Sequence, residues 1–170
     1  MADKRFETFR LDVGVEGHGT VQAEAFTGRD FLAFADVAPV EHQVISLPQH
    51  MAEKIHAYTR IYSQARKSSR DRDLVDLVLV CHNLTMSAGT LITSLQSTFR
   101  VRGLQTIPLE FPRPPQAWVV PYRSLAQEVG IEPRLEAGWD AASAFLNPVL
   151  GGEVAPDAVW SPDDQRWVVR

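Results

Sequence analysis

The chain has 170 residues, 45% of them hydrophobic and 22% charged, with 17 Lys and Arg against 21 Asp and Glu for a net charge of -4. That balance excludes global disorder, no run of about 18 apolar residues is present to form a membrane span, and the opening MADKRFETFR lacks an apolar stretch of signal-peptide length. The single cysteine, Cys81, excludes an internal disulfide, so the expectation is a cytoplasmic domain of bacterial type.

Phe9, Leu11, Val13 and Val15 alternate with polar residues, and Val21, Ala23 and Ala25 do so again after Gly17-His18-Gly19. This spacing predicts a β-hairpin over residues 6–26. Residues 27–45 are mixed, with an apolar cluster at Phe31, Leu32 and Phe34, a breaker at Pro39 and a short strand at Val44-Ile45. Ser46-Leu47-Pro48-Gln49 reads as a helix start with a capping box. Met51, Ile55, Tyr58 and Tyr62 then form one apolar stripe, which carries the first helix to about Tyr62. Ser63 to Ser69 is polar and basic, hence a loop. A second helix over about 69–84 is apolar nearly all round, from Leu74 to Cys81, and belongs in the centre of the core. Its exceptions cluster at its start: Arg70, Asp71, Arg72, Asp73 and Asp76.

A third helix spans about 87–101 with Ala88, Leu91, Ile92, Leu95 and Phe99 as its stripe, and Gly103 ends it. The proline-rich stretch 104–117 is an extended crossing. A fourth helix begins near Pro121 and stops before Gly130, and a fifth runs from about Leu135 to Leu146. After Asn147-Pro148 the tail reads as irregular, anchored by Trp160 and Trp167. The expected fold class is therefore α+β. A small β-rich part over 1–45 is followed by a bundle of about five helices over 46–150 and an irregular tail over 151–170.

There is no Gly-x-Gly-x-x-Gly, Walker loop or nucleophile elbow, and none of the five histidines makes an i, i+4 pair for zinc. Cys81 on the most apolar helix reads as core. Three features remain. Asp12 lies on a strand opposite the inward face of Leu11 and Val13, and reads either as a metal ligand held by the sheet or as a solvent-facing strand residue. Lys54, in Ala52-Glu53-Lys54-Ile55-His56-Ala57, reads either as a phosphate-facing cation or as a snorkelling surface lysine. Asp73 and Asp76 are i, i+3 on a helix that is otherwise buried, so they need cationic partners, with Arg70, Arg60 and Lys54 the candidates. Six basic residues lie between Lys54 and Arg72 (Lys54, Arg60, Arg66, Lys67, Arg70 and Arg72), and this is either a site for an anionic ligand or a solvated loop.

Taken together, a strand Asp, Ala52-Glu53-Lys54-Ile55-His56-Ala57 and Arg70-Asp71-Arg72-Asp73-Leu74-Val75-Asp76-Leu77 resemble the AbiEii/AbiGii toxins over roughly residues 5–150. These are nucleotidyltransferase-like proteins of type IV toxin–antitoxin and abortive-infection systems. The resemblance implies two Mg²⁺ ions held by an early Asp-x-Asp after a Gly-Ser turn and by a third, strand-borne carboxylate, to which Asp12 is similar by position. It implies Lys54 near a triphosphate, Asp73 as the later motif's aspartate with Asp76 and Arg70 as its helix-face companions, tRNA as acceptor, and a cognate antitoxin; Arg60 and Arg70 join Lys54 as the expected phosphate-binding residues.

This chain contains no Gly-Ser dipeptide, and its one Asp-x-Asp is Asp71-Arg72-Asp73, within the later motif. Only about eleven residues precede Asp12. The expectation is accordingly a C-terminal portion of such a protein, not catalytic alone and binding NTP or RNA. It would use Mg²⁺ only where a partner chain supplies the first two carboxylates and makes it half of an active toxin. An unrelated helical interaction module is the remaining reading. An open sheet edge would also allow a homodimer.

Overall fold

The computed structural model describes Thr8 and residues 23–60, 70–103 and 105–169. The expected strand over 9–15, its glycine turn, Asp12 and the basic loop with Arg66 and Lys67 lie outside the described residues. The architecture is α+β, and the described residues form a two-stranded sheet, five helices and a second, three-stranded sheet.

β1 (Ala23–Thr27) pairs antiparallel with β2 (Glu41–Ile45), Ala23 opposite Ile45 and Thr27 opposite Glu41. The strand expected at Val44-Ile45 is thus the end of a five-residue strand. The connection holds one 3₁₀ turn, Ala33–Ala35, closed by Asp36 at φ 53°. β1 and β2 pack principally on each other.

α1 (Leu47–Thr59) buries Met51, Ala52, Ile55, His56 and Tyr58. It starts at Ser46 as the sequence indicates, but the Ser46 side chain makes no cap hydrogen bond. The capping box is not formed, because the Gln49 amide donates instead to Glu53 Oε1 (3.2 Å) and Thr98 Oγ1 (3.1 Å). The helix also ends earlier than its stripe suggests, since Arg60 is extended at φ -66°, ψ 124°.

α2 (Asp71–Asn83) is the central helix, packed on α1, on α4 (Val119–Val129) and on α5 (Leu135–Leu150). Leu74, Leu77 and Cys81 are fully buried, whereas Leu79 and Val80 are partly exposed. α3 (Ala88–Arg102) lies along α1 and ends in the left-handed Gly103, as its sequence predicts. The crossing that follows carries Phe111, which stacks on Tyr58 at 4.3 Å, and a 3₁₀ turn at Gln116–Trp118 that leads into α4. α4 starts before Pro121, which falls in the first turn, where a missing N–H leaves no bond unmade. α5 continues through Pro148 to Leu150, beyond the expected stop. Burial of Leu146, Val149 and Leu150 offsets the hydrogen bond the proline removes.

The tail is not irregular. β4 (Ala158–Ser161) and β5 (Arg166–Val169) form a hairpin, and β4 also pairs with β3 (Met86–Ser87), giving the order β3-β4-β5. Trp160 is fully buried against Phe145 (4.9 Å) and Trp167 (5.6 Å). Its Nε1 donates to the Cys81 carbonyl at 2.8 Å, and Gln165 Nε2 donates to the same oxygen at 3.0 Å. That carbonyl lies in the last turn of α2, where no intrahelical donor remains, so the hairpin caps the helix.

Candidate functional site

The hexad Ala52–Ala57 divides its side chains between two neighbours. Ala52 and Ile55 are fully buried. Lys54 turns toward α2, and Glu53 and His56 turn toward α3. The Lys54 ammonium lies 2.6 Å from Asp76 Oδ2 and 3.4 Å from Asp73 Oδ1, and Arg70 Nη1 lies 3.3 Å from Asp73 Oδ2. The lysine is therefore not a snorkelling surface residue, its side chain being 19% exposed against 13% for Asp73. Asp76 and Arg70 form the wetter side of the cluster, at 43% and 36%.

These four groups come together because the α2 aspartates occupy one helix face in its first turns, close to the favourable end of the helix dipole, and α1 presents a cation opposite them. The cluster is neutral as a set. An ammonium has three donors, of which Asp73 and Asp76 take two. Arg60, the other residue expected to bind phosphate, ends α1 and is exposed. Asp12 lies outside the described residues.

Magnesium does not fit the carboxylates of this cluster. Both are engaged by cations, and a metal ion would have to displace Lys54. Among the described residues, no three His, Cys, Asp or Glu side chains converge on a metal position. Burial pushes the Cys81 thiol up to about 12, so it stays protonated and inert as a core residue.

The α1–α3 side of the hexad was not marked by sequence reasoning. Arg102 Nη2 approaches Glu53 Oε1 at 3.9 Å, and Gln105 Nε2 donates to the His56 carbonyl (3.0 Å) and to Thr59 Oγ1 (2.9 Å). His56 is 3% exposed, sits edge-on to Phe99 at 4.9 Å, and its Nε2 has no hydrogen-bond partner. Burial holds its pKa below the usual histidine value; Arg102 and Arg60 lower it further, and Glu53 opposes them. The signal lay in the hexad itself, where His56 is two residues from Lys54 and so faces away from it.

A protonation-linked loss of stability follows. Because the folded-state pKa is lowered, the unfolded chain binds the extra proton first. Stability is then full above about pH 6.5 and falls as pH drops through that value toward the lowered folded pKa. We expect His56→Leu to flatten the change in urea midpoint between pH 7.5 and 5.5 while keeping the midpoint at pH 7.5. A variant with the wild-type pH slope would show that His56 is not responsible.

A shallow cleft of about 300 Å³ lies elsewhere, lined by Gln116, Val119, Arg123, Arg134, Leu135 and Glu136, and shares no residue with the Lys54 cluster. None of the described helices is long and apolar enough to cross a membrane. No curated protein matches the chain. The family model described as "Nucleotidyl transferase AbiEii toxin, Type IV TA system" does match, over residues 2–158 and so across both the Lys54 hexad and the Asp73 motif, and the chain belongs to that family.

Proposed function

We propose that this chain binds the phosphates of a nucleoside triphosphate, or of an RNA end such as that of tRNA, at the Lys54 cluster, and that these residues alone do not transfer a nucleotide. The observation that supports this is the fixed ammonium of Lys54. Two carboxylates hold it at the α1–α2 seam, and among the described residues they take two of its three donors, so that the third can meet a phosphate oxygen. Arg70, ion-paired with Asp73 and 36% exposed, adds a second cation at the rim of the cluster. Asp73 and Asp76 position Lys54 and do not ligate a metal.

Nucleotidyl transfer needs a carboxylate set that these 170 residues do not include, since they contain no Gly-Ser and the one Asp-x-Asp is committed to α2. In the second reading, another polypeptide supplies those carboxylates with Mg²⁺, and Asp12 completes the set. Among the described residues β1 pairs only with β2, which leaves room beside it for a strand of a partner or of a second copy of the chain. Membership in a type IV toxin–antitoxin family adds a cognate antitoxin as partner, in the cytoplasm where NTPs and tRNA are found. An unrelated helical interaction protein is set aside by the family match.

The test is binding and transfer on the same preparation. We expect ATP or CTP to bind in calorimetry, with Lys54→Met weakening binding about tenfold, the worth of one charge-assisted hydrogen bond. The same variant should lose about 1–2 kcal/mol of stability, between the values for exposed and buried pairs. No label should pass from α-labelled NTPs to tRNA in the presence of Mg²⁺. Stability lost with no nucleotide bound by the wild type would reduce the cluster to a helix clamp. Label transferred by this chain alone, and abolished in Asp12→Ala, would overturn the non-catalytic reading.

A further inference from the structure

The arm formed by residues 23–45 is uncovered. Phe26, Phe31, Leu32, Phe34, Val37, Val40 and Val44 are all exposed, Phe31 at 74% and Phe34 at 87%. From Ala23 to Val44 no residue is buried. On the sheet itself, Phe26 and Val44 stand on one face as diagonal neighbours, because Phe26 opposes His42 and Glu24 opposes Val44. Two strands do not hold together in water unless another layer covers a face. So much apolar surface on a single arm marks a docking site.

The geometry and the charge decide between the available occupants. A strand added beside this sheet by a second copy would lie in the plane of the sheet. It would extend the sheet and leave both faces bare. The arm is acidic as a whole, with Glu24 on the same face as Phe26 and Val44, Glu41 on the opposite face, and Asp30 and Asp36 in the connection, against Arg29 alone. Two such arms laid face to face would bring like charges together. What covers a small sheet face is a helix, and what complements this charge is a basic one. We propose that the arm docks an amphipathic helix of another polypeptide, with an apolar stripe on Phe26, Val44 and the Phe31–Phe34 cluster and with Lys or Arg along its flanks. This surface is separate from Lys54, since β1 and β2 pack principally on each other and not on the helices.

The probe is a labelled synthetic helix about three heptads long, with Leu at the a and d positions and Lys on the flanks, compared with the same peptide carrying Glu on the flanks. Anisotropy should show the Lys peptide binding the full chain about tenfold more tightly than the Glu peptide. Binding should be lost in the Phe26→Ser/Phe34→Ser variant, with circular dichroism unchanged because both side chains are exposed. It should weaken in Glu24→Lys/Asp36→Lys and stay intact in Lys54→Met. No binding by the Lys peptide, or equal binding of the two peptides, overturns the proposal. So does tighter binding in Leu11→Ser/Val13→Ser, which would make the chain's own N-terminal residues the occupant. A micromolar dimer in sedimentation that Phe26→Ser/Phe34→Ser abolishes would make it a second copy.

Discussion

Trp160→Ala is expected to cost about 3–5 kcal/mol and to lower the thermal midpoint by roughly 10 °C. The indole has no exposed surface, and its ring is held edge-on by both Phe145 and Trp167, so truncation leaves a cavity that rigid neighbours cannot close. The loss is double, because the Cys81 carbonyl also gives up the Nε1 donor and keeps only Gln165. Trp160→Phe separates the two parts. It retains most of the ring packing and removes the hydrogen bond, for about 1 kcal/mol. Urea unfolding of both variants checks this. A loss below about 1 kcal/mol in the alanine variant would mean that the hairpin is peripheral and not part of the core.

Gly138→Ala is expected to cost about 1–3 kcal/mol or more by overpacking. Gly138 is on α5, where the Tyr122 side chain of α4 crosses it. A Cβ there would fall within the Tyr122 hydroxyl and only 2.5 Å from Cζ. Tyr122 is fully buried and cannot swing aside, and its hydroxyl reaches the Glu132 carbonyl at 3.4 Å. In a helix interior an added methyl would ordinarily stabilise, so the sign of the effect reports the crossing and not the backbone. A double-mutant cycle with Tyr122→Phe should recover part of the loss. An identical loss in both backgrounds would show that the hydroxyl is not what alanine meets.

The helices were legible because burial is periodic. Met51, Ile55 and Tyr58 on α1, and Leu91, Leu95 and Phe99 on α3, are all buried where the stripe puts them. The partners of Asp73 followed from the cost of leaving a carboxylate unpaired at the start of a buried helix. The ends were less legible. Gln49 bonds across to Thr98 on α3, a contact 49 residues away in sequence, and no local pattern announces it. The hairpin was missed although Ala158 and Trp160 alternate with partly exposed Val159 and Ser161, because four-residue strands are too short for alternation to stand out. That His56 faces away from Lys54 follows from their two-residue spacing, but whether it then meets solvent or α3 is settled by where α3 packs.

The bond from Trp160 to Cys81 joins residues 79 apart. It also bears on the order in which the chain becomes a folded object. α2 touches α1, α4 and α5, yet its last turn is closed by β4, so the central helix is not finished until residues 158–165 have been synthesised. α1, α2 and α3 emerge from the ribosome as a partial bundle with an open end and apolar surface on view. A helix end closed by a partner this distant in sequence is completed late, because the long loop must close before the bond can form. The helix that carries Asp73 and Asp76 therefore reaches its final stability, and Lys54 its fixed position, only when that distant hairpin closes.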